Sequence, residues 1–212
     1  MAAGSQRRAR ETDLVKATRA LFDERGMQDA PVEEIARAVG IARGLIYRQF
    51  SSKEELYVLT VTDYLAELAA VLDAAIDRDA EPEAQLERCT EAYAIFCRTY
   101  PAFLDCSMSL MRRPARDLRA MVSESVWLRL GQGMASCLEQ VAEVLRGFGV
   151  AEPEYVANLL WTQTLGVMHL ARIGVGVREA APAVPALFAL TPERIVDSCV
   201  QSAMATVRAS AT

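Results

Sequence analysis

The 212-residue sequence predicts an all-α protein, and three observations support this class. Apolar side chains recur three and four positions apart through most of the chain, which is the period of an α-helix. Proline and glycine divide the chain into segments of helical length. No segment shows sustained alternation of polar and apolar residues between turn residues, so no β-strand is predicted. With 52% hydrophobic and 24% charged residues, the chain can form a folded core.

The first 53 residues are expected to form three helices. The apolar face of the first helix, which ends at Arg25-Gly26, is formed by Leu14, Val15, Thr18, Leu21 and Phe22. The second helix begins near Pro31 and ends at Gly40, and its apolar face is formed by Val32, Ile35, Ala36 and Val39. The third covers residues 43–50. Gly40 allows the left-handed backbone that a tight turn between the last two helices requires.

The remaining helices follow from capping residues and breaks. Ser52 and Glu55 form a capping box for a long fourth helix that could extend to Asp79. Further helices are predicted at about residues 83–99, 102–112, 115–146, 154–173 and 192–208. Between the last two, the segment from Gly174 to Pro185 is expected to be a loop with little structure of its own.

Charge is distributed unevenly along the chain. Through residue 53 there are ten basic and seven acidic residues, a net charge of 10 − 7 = +3, whereas the remainder has 13 − 21 = −8. A basic front and an acidic body are expected when one end of a protein meets a polyanion. Chance scatter of surface charge is equally compatible with the numbers, and Arg7, Arg8 and Arg10 could be a solubilising tail.

Cysteine usage and hydropathy indicate a cytoplasmic protein. The five cysteines form no C-x-x-C pair and no secretory leader is recognised, so they are expected to be reduced core thiols. The apolar stretch from Val156 to Val177 is interrupted by polar residues, so no membrane span is predicted.

No enzyme motif such as G-x-S-x-G or H-E-x-x-H occurs in the sequence. His169 is the single histidine, and it is expected to be a hydrogen-bonding residue of the core or of a pocket. The sequence therefore predicts no catalytic activity, no metal site and no cofactor.

Residues 31–50 have the pattern of a helix, a tight turn and a second helix. The second helix presents polar and basic side chains where a buried helix would have aliphatic ones, and these exposed positions are Arg43, Gly44, Leu45, Tyr47, Arg48 and Gln49. Guanidinium and amide groups can bond base edges in the major groove, and a tyrosine hydroxyl can donate to phosphate. The alternative is a helix-turn-helix that serves packing alone.

This segment resembles the DNA-binding motif of the tetracycline-repressor (TetR) family over about residues 9 to 60. The matching residues are Ile35-Ala36, Gly40, Ile46-Tyr47, Phe50 and Lys53-Glu54-Glu55-Leu56. Three positions depart from the family pattern: Pro31 and Ala42 lack a capping hydroxyl, and Leu45 can contact a thymine methyl group but cannot hydrogen-bond a base.

The resemblance implies a DNA-binding domain at residues 1–53, with its motif at about 31–50, and an all-helical effector-binding and dimerisation domain at residues 54–212. It places Tyr47 and Lys53 on phosphates, and Arg43, Gly44, Leu45, Arg48 and Gln49 near bases or backbone. Val32 is a further DNA-binding candidate.

The resemblance also implies a ligand-responsive transcriptional regulator. The expected form is a homodimeric repressor that leaves a pseudo-palindromic double-stranded DNA operator when a small apolar or amphipathic effector binds. The alternative is a small-molecule binding protein with a vestigial DNA-binding module.

Candidate residues for the effector pocket and the dimer interface lie in the helical body. The pocket candidates are Tyr93, Phe96, Phe103, Met108, Met111, Trp127, Met134, Trp161 and His169. The interface candidates are Leu159, Gly166, Leu170, Ile195, Cys199, Ala203 and Val207. Intramolecular packing is the alternative for the second set, because the same helical spacing serves both.

Overall fold

The computed structural model describes residues 2–26 and 31–211 and confirms the all-α class, with one addition. The described helices are α1 (Ala2–Arg25), α2 (Val32–Ala38), α3 (Arg43–Gln49), α4 (Lys53–Ala75), α5 (Pro82–Thr99), α6 (Pro101–Met111), α7 (Ala115–Met121), α8 (Glu124–Gly147), α9 (Pro153–Ile173) and α10 (Pro192–Ser210). The addition is a hairpin of two strands, β1 (Val175–Ala181) and β2 (Val184–Ala189).

The chain forms two compact units. One comprises Met1–Glu67 with Tyr100–Met134, and the other comprises Leu68–Thr99 with Ala135–Thr212. Helices α4 and α8 contribute residues to both units. The predicted functional boundary between residues 53 and 54 falls inside the first unit, and that boundary stays a prediction.

The first unit is built on the apolar face of α1, whose five predicted core residues are all buried. An arginine holds this helix to α4 and α6. The Arg19 guanidinium lies 4.2 Å from the ring centre of Tyr64 and 5.0 Å from that of Tyr100. It pairs with Asp63 at 2.8 Å and with Glu67. Burial works against the charge of Arg19, but hydrogen bonds to the two carboxylates outweigh it and raise the arginine pKa.

The second unit is built on α5, α9 and α10, which pack against one another. Tyr93 of α5 stacks on Trp161 of α9 with ring centres 4.6 Å apart. The apolar face of α10 is buried in this packing. Its apolar residues, which lie three and four positions apart, therefore pack in the core of a single chain.

The prediction of a loop from Gly174 to Pro185 is wrong. Gly174 ends α9 in the left-handed conformation, with φ 72°. The antiparallel hairpin that follows pairs Gly176 with Phe188 and Val177 with Leu187. The alternation is too short to recognise in the sequence, because a strand of this length becomes ordered by pairing with its partner.

Two predicted helix boundaries also differ. The expected helix at residues 115–146 is divided into α7 and α8, because Val122 is extended (φ −128°, ψ 157°). The Ser123 carbonyl then accepts the N–H groups of Val126 and Trp127, both at 3.0 Å, and so begins α8. Helix α4 ends at Ala75, short of the predicted Asp79.

Substitution by alanine is expected to have opposite effects on stability at two glycines. At Gly176 a Cβ would lie 2.4 Å from the Phe188 ring, so Gly176→Ala should displace this ring and expose hairpin amides to exchange. At Gly131 no atom lies within 4 Å of an added Cβ, so Gly131→Ala should stabilise α8 by up to about 1 kcal/mol. Hydrogen exchange and urea unfolding would measure the two effects, and equal effects of the same sign would contradict this account.

Candidate nucleic-acid interface

Helices α2 and α3 form the predicted helix-turn-helix. Ile35 and Ala36 of α2 are buried together with Ile46 of α3 and Phe50, which follows it. Gly40 has φ 71° and the Ile41 N–H donates to the Ala36 carbonyl at 2.9 Å, so the turn needs the glycine at this position. The inner face of α3 is thereby fixed.

The outer face of α3 carries most of the predicted DNA-binding residues. Arg43, Gly44, Tyr47 and Arg48 are exposed, and Tyr47 retains 48% of its surface. Leu45 and Gln49 are half-buried, and Lys53 is exposed at the start of α4. The Val32 side chain is only 5% exposed, which limits any role of this position to its backbone. The assignment of these residues to DNA stays a prediction.

Arg43 is engaged by its neighbours on the surface. Its Nη1 lies 2.6 Å from Glu33 Oε1, and its guanidinium carbon lies 5.6 Å from the Tyr47 ring centre. Hydrogen bonding to Tyr47 and the charge of Glu33 raise the Arg43 pKa. Because Arg43 and Glu33 are both exposed, their ion pair is weak and can be exchanged for another acceptor.

Gln49 contacts a residue that the sequence did not single out for this site. Its Nε2 donates to the Arg7 carbonyl at 3.2 Å, so the amide is held by α1. Helix α1 extends back to Ala2, and Arg7, Arg8 and Arg10 lie on it. These arginines therefore lie on a helix beside α3 and not in an unstructured tail.

A buried carboxylate fixes the connection between α3 and α4. Glu55 is 6% exposed and accepts the Ser51 N–H at 2.6 Å, the Ser51 hydroxyl, and the Ser123 hydroxyl at 2.5 Å. Burial raises the Glu55 pKa, but these hydrogen bonds outweigh burial and hold that pKa below its usual value. The start of α4 is thereby tied to the start of α8.

The predicted capping box is confirmed in part. The Glu55 N–H donates to Ser52 Oγ at 2.9 Å, as expected. The return bond from the Glu55 carboxylate reaches the N–H of Ser51 in place of that of Ser52. Ser52 Oγ also donates to the Met121 carbonyl at 2.6 Å. Pro31 and Ala42 make no side-chain cap, as their side chains predict.

The predicted pocket residues are distributed over both units. Tyr93 and Trp161 line a cavity of about 20 Å³ in the second unit, which has room for about one water molecule. The residues lining it are Leu72, Cys89, Thr90, Tyr93, Leu138, Val141, Ala157, Leu160, Trp161 and Thr164, none of them charged. The Tyr93 hydroxyl is buried near the Cys97 thiol and has no hydrogen-bonded oxygen or nitrogen partner among the described residues.

The other seven candidates do not line this cavity. Phe96 is buried and His169 half-buried in the second unit, while the first unit contains Phe103, Met108, Met111, Trp127 and Met134. Phe103 packs on Tyr64 with ring centres 5.8 Å apart, and Met111 is exposed. The assignment of all nine to a pocket stays a prediction, and Tyr93 with Trp161 has the most direct structural support.

The cysteines are free and buried. Burial raises the pKa of the Cys89 thiol to about 12 and that of Cys199 to about 11. At neutral pH these two thiols remain protonated and are poor nucleophiles. They contribute to the core, as the sequence suggested.

The dimer candidates divide into two groups. Leu159, Gly166 and Leu170 are exposed on α9. Four others are buried within the single chain, where α10 packs on α5 and α9, namely Ile195, Cys199, Ala203 and Val207. The interface stays a prediction, and its available surface is reduced to the α9 residues.

The sequence predicted neither a metal site nor a membrane span. In the described ranges 2–26 and 31–211, no three His, Cys, Asp or Glu side chains are grouped as a metal site would require. None of the helices in the same ranges is both long and apolar enough to cross a membrane.

The exposed basic helix α3, held against α2 across a tight turn, places the chain in the helix-turn-helix class. The profile described as "Bacterial regulatory proteins, tetR family" matches residues 14–59. Solved structures share the fold along almost the whole chain. A tetR-family protein from Rhodococcus covers 93% of this chain and 96% of its own with a TM-score of 0.63 at 15% identity. Another from Streptomyces coelicolor covers 96% and 82% with a TM-score of 0.63 at 20% identity. Residues 14–59 thus match the TetR-family profile, and the solved structures show that the chain has the same fold.

Curated relatives match part of the chain. The regulator BetI of Proteus mirabilis is 34% identical over 80 residues, 37% of this chain and 40% of that protein. The HTH-type transcriptional repressor KstR2 of Mycobacterium tuberculosis is 33% identical over 79 residues, again 37% and 40%. The regulator HbdR of Aromatoleum is 28% identical over 111 residues, 52% and 47%. The matched segments span less than half the length of these relatives.

The lowered Glu55 pKa predicts an acid-sensitive contribution to stability. The contribution should be present at neutral pH and decline as pH falls below about 4.5, since protonation removes the charge that the hydrogen bonds stabilise. Glu55→Gln should therefore lose stability at neutral pH, and its difference from wild type should shrink in acid. Urea unfolding against pH would measure this. Glu54→Gln is the control, because Glu54 lies 4.0 Å from Arg113 in a looser contact. Equal pH profiles for both variants would contradict the prediction.

Proposed function

We propose that the chain is a transcriptional regulator that binds double-stranded DNA through α3, acts as a homodimeric repressor, and releases its operator when a small apolar or amphipathic effector binds. The observation that carries the proposal is the outer face of α3. Arg43, Tyr47 and Arg48 are exposed there, although Ile46 on the same helix is buried. Such side chains have no packing purpose and suit a major groove.

The charged groups have distinct proposed roles. Arg43 and Arg48 supply guanidinium donors for base edges or phosphates, and the Tyr47 hydroxyl donates to a phosphate. Lys53, whose Nζ lies 4.9 Å from the Tyr57 ring centre, provides a further cation for a phosphate at the start of α4. Both ends of the recognition segment would thus contact the DNA backbone and set the position of α3.

The proposed effector site is the cavity beside Tyr93 and Trp161. Its lining is uncharged, and the Tyr93 hydroxyl could exchange a hydrogen bond with one polar group of a ligand. This supports an apolar or amphipathic effector. Because the cavity has room for about one water molecule, the effector would select a more open conformation, which is how binding could alter affinity for DNA.

The proposed dimer uses the exposed apolar side chains of α9. Leu159 and Leu170 are 41% and 40% exposed, and Gly166 between them allows a close approach of a second helix. Two copies related by a twofold axis would present two α3 helices to half-sites about 34 to 36 Å apart. The repressor assignment rests on the similarity to KstR2 of Mycobacterium tuberculosis, which is named as a transcriptional repressor.

Selection of bound DNA from a randomised duplex of about 30 bp, long enough for two half-sites one turn apart, tests the proposal. We expect a palindromic sequence to be enriched. Tyr47→Ala combined with Lys53→Ala should weaken binding to that duplex at least about tenfold, since two hydrogen bonds to phosphate are lost. Fluorescence anisotropy would measure affinity, with Arg78→Ala combined with Arg88→Ala as the control. Failure to enrich any sequence would favour the small-molecule binding protein with a vestigial DNA module.

Release of Arg43 from Glu33 should strengthen DNA binding. Glu33→Gln removes the ion pair, so Arg43 can bind DNA without first losing its contact with Glu33. Affinity for the duplex should therefore rise by up to about fivefold. Glu34→Gln is the matched control, because it removes the same charge from α2 but frees Arg25, at 2.5 Å, in place of Arg43. An equal gain in both variants would mean that the charge alone matters and that Arg43 makes no specific contact.

A further inference from the structure

The first turns of α1 extend beyond the core that the rest of the helix helps to form. Its buried face begins at Leu14, whereas residues 6–10 are all exposed. This exposed stretch includes Arg7, Arg8 and Arg10. A helical segment that is polar all round obtains little stability from packing, so its position depends on other contacts.

Two polar contacts hold this end of α1 in place. Gln49 Nε2 donates to the Arg7 carbonyl at 3.2 Å and links it to the last residue of α3. Glu11, one turn further along α1, pairs with Arg129 of α8 at 2.5 Å. The exposed arginines are therefore held next to the helix that carries the proposed DNA-reading face.

A cleft of about 660 Å³ opens at this end of α1. Its lining is Arg7, Arg8, Glu11, Thr12, Ser125 and Arg129, with a formal charge of 3 − 1 = +2. Because Arg129 neutralises Glu11, the excess positive charge belongs to Arg7 and Arg8. Among the described residues, neither of these two arginines forms an ion pair, so both are available to an anion.

We infer that Arg7 and Arg8 contact DNA phosphates beside the base pairs that α3 reads, and that Gln49 is a positioning residue that docks the end of α1 against α3. This inference rests on the proposed function and extends its DNA surface beyond the helix-turn-helix. A phosphodiester backbone fits the cleft because it offers successive anionic groups to side chains that carry charge without a partner. Guanidinium groups also bind phosphate oxygens in a bidentate manner.

The salt dependence of binding tests the role of the two arginines. With the duplex enriched by the wild-type chain, Arg7→Ala combined with Arg8→Ala should lower the slope of log affinity against log salt by about 0.9 per lost phosphate contact, or about 1.8 per protomer. Arg7→Lys combined with Arg8→Lys should retain most of the slope, since the charges remain. The control is Arg116→Ala combined with Arg178→Ala, which removes the same charge from α7 and the hairpin and should leave the slope unchanged.

Gln49→Ala tests the positioning role. It should lower the salt slope towards that of the double arginine variant while the same DNA sequence is enriched, because the α1 end is released but α3 keeps its base-reading groups. A changed preferred sequence with an unaltered slope would show that Gln49 reads a base and would overturn its positioning role.

The outcomes separate this inference from the proposed function. If the wild-type chain enriches no DNA sequence, the proposed function fails and the inference fails with it. If wild type binds its duplex and the double alanine variant keeps the full salt slope, the inference alone is overturned. An equal loss of slope in the control variant would also overturn it, since net charge would then explain the effect. Circular dichroism of each variant would verify that helix content is retained.

Discussion

The buried carboxylate of Glu55 is the constraint on which the geometry of the proposed DNA-binding surface depends. A charge removed from water must be compensated by hydrogen bonds, and here the donors are the Ser51 N–H and the hydroxyls of Ser51 and Ser123. Ser51 lies just before α4, and Ser123 lies just before α8. The direction in which the chain leaves α3 is therefore fixed by the need to satisfy this carboxylate.

A second charged group acts in the same way on α1. Arg19 lies over the rings of Tyr64 and Tyr100 and pairs with two carboxylates of α4, so α1 cannot move independently of α4 and α6 without loss of these contacts. The outer face of α3 is different, since the Arg43 and Glu33 pair is exposed and exchangeable. Strong contacts thus lie inside the first unit, and weak contacts lie where a partner would replace them.

The sequence predicted much of this arrangement and missed its connections. The burial of Ile46 and Phe50, the turn at Gly40 and the bond between Ser52 and Glu55 follow from residue spacing over a few positions, and each is present. The bond from the Ser123 hydroxyl to Glu55 was missed because it joins segments that lie far apart in the chain. The bond from Gln49 to α1 was missed for the same reason.

The sequence by itself determined the helical class, the helix-turn-helix with its exposed basic face and the presence of an acidic body, because these follow from local periodicity, capping and charge. Tertiary structure decided which surface each helical face meets. The apolar face of α10 is the clearest case, since its spacing suits either a second chain or its own core, and the packing of α5 and α9 buries it in the core. The hairpin after α9 likewise required its pairing partner. Contacts between segments far apart in the chain form only when the fold brings both segments together. The spacing of residues over a few positions does not determine which segments meet.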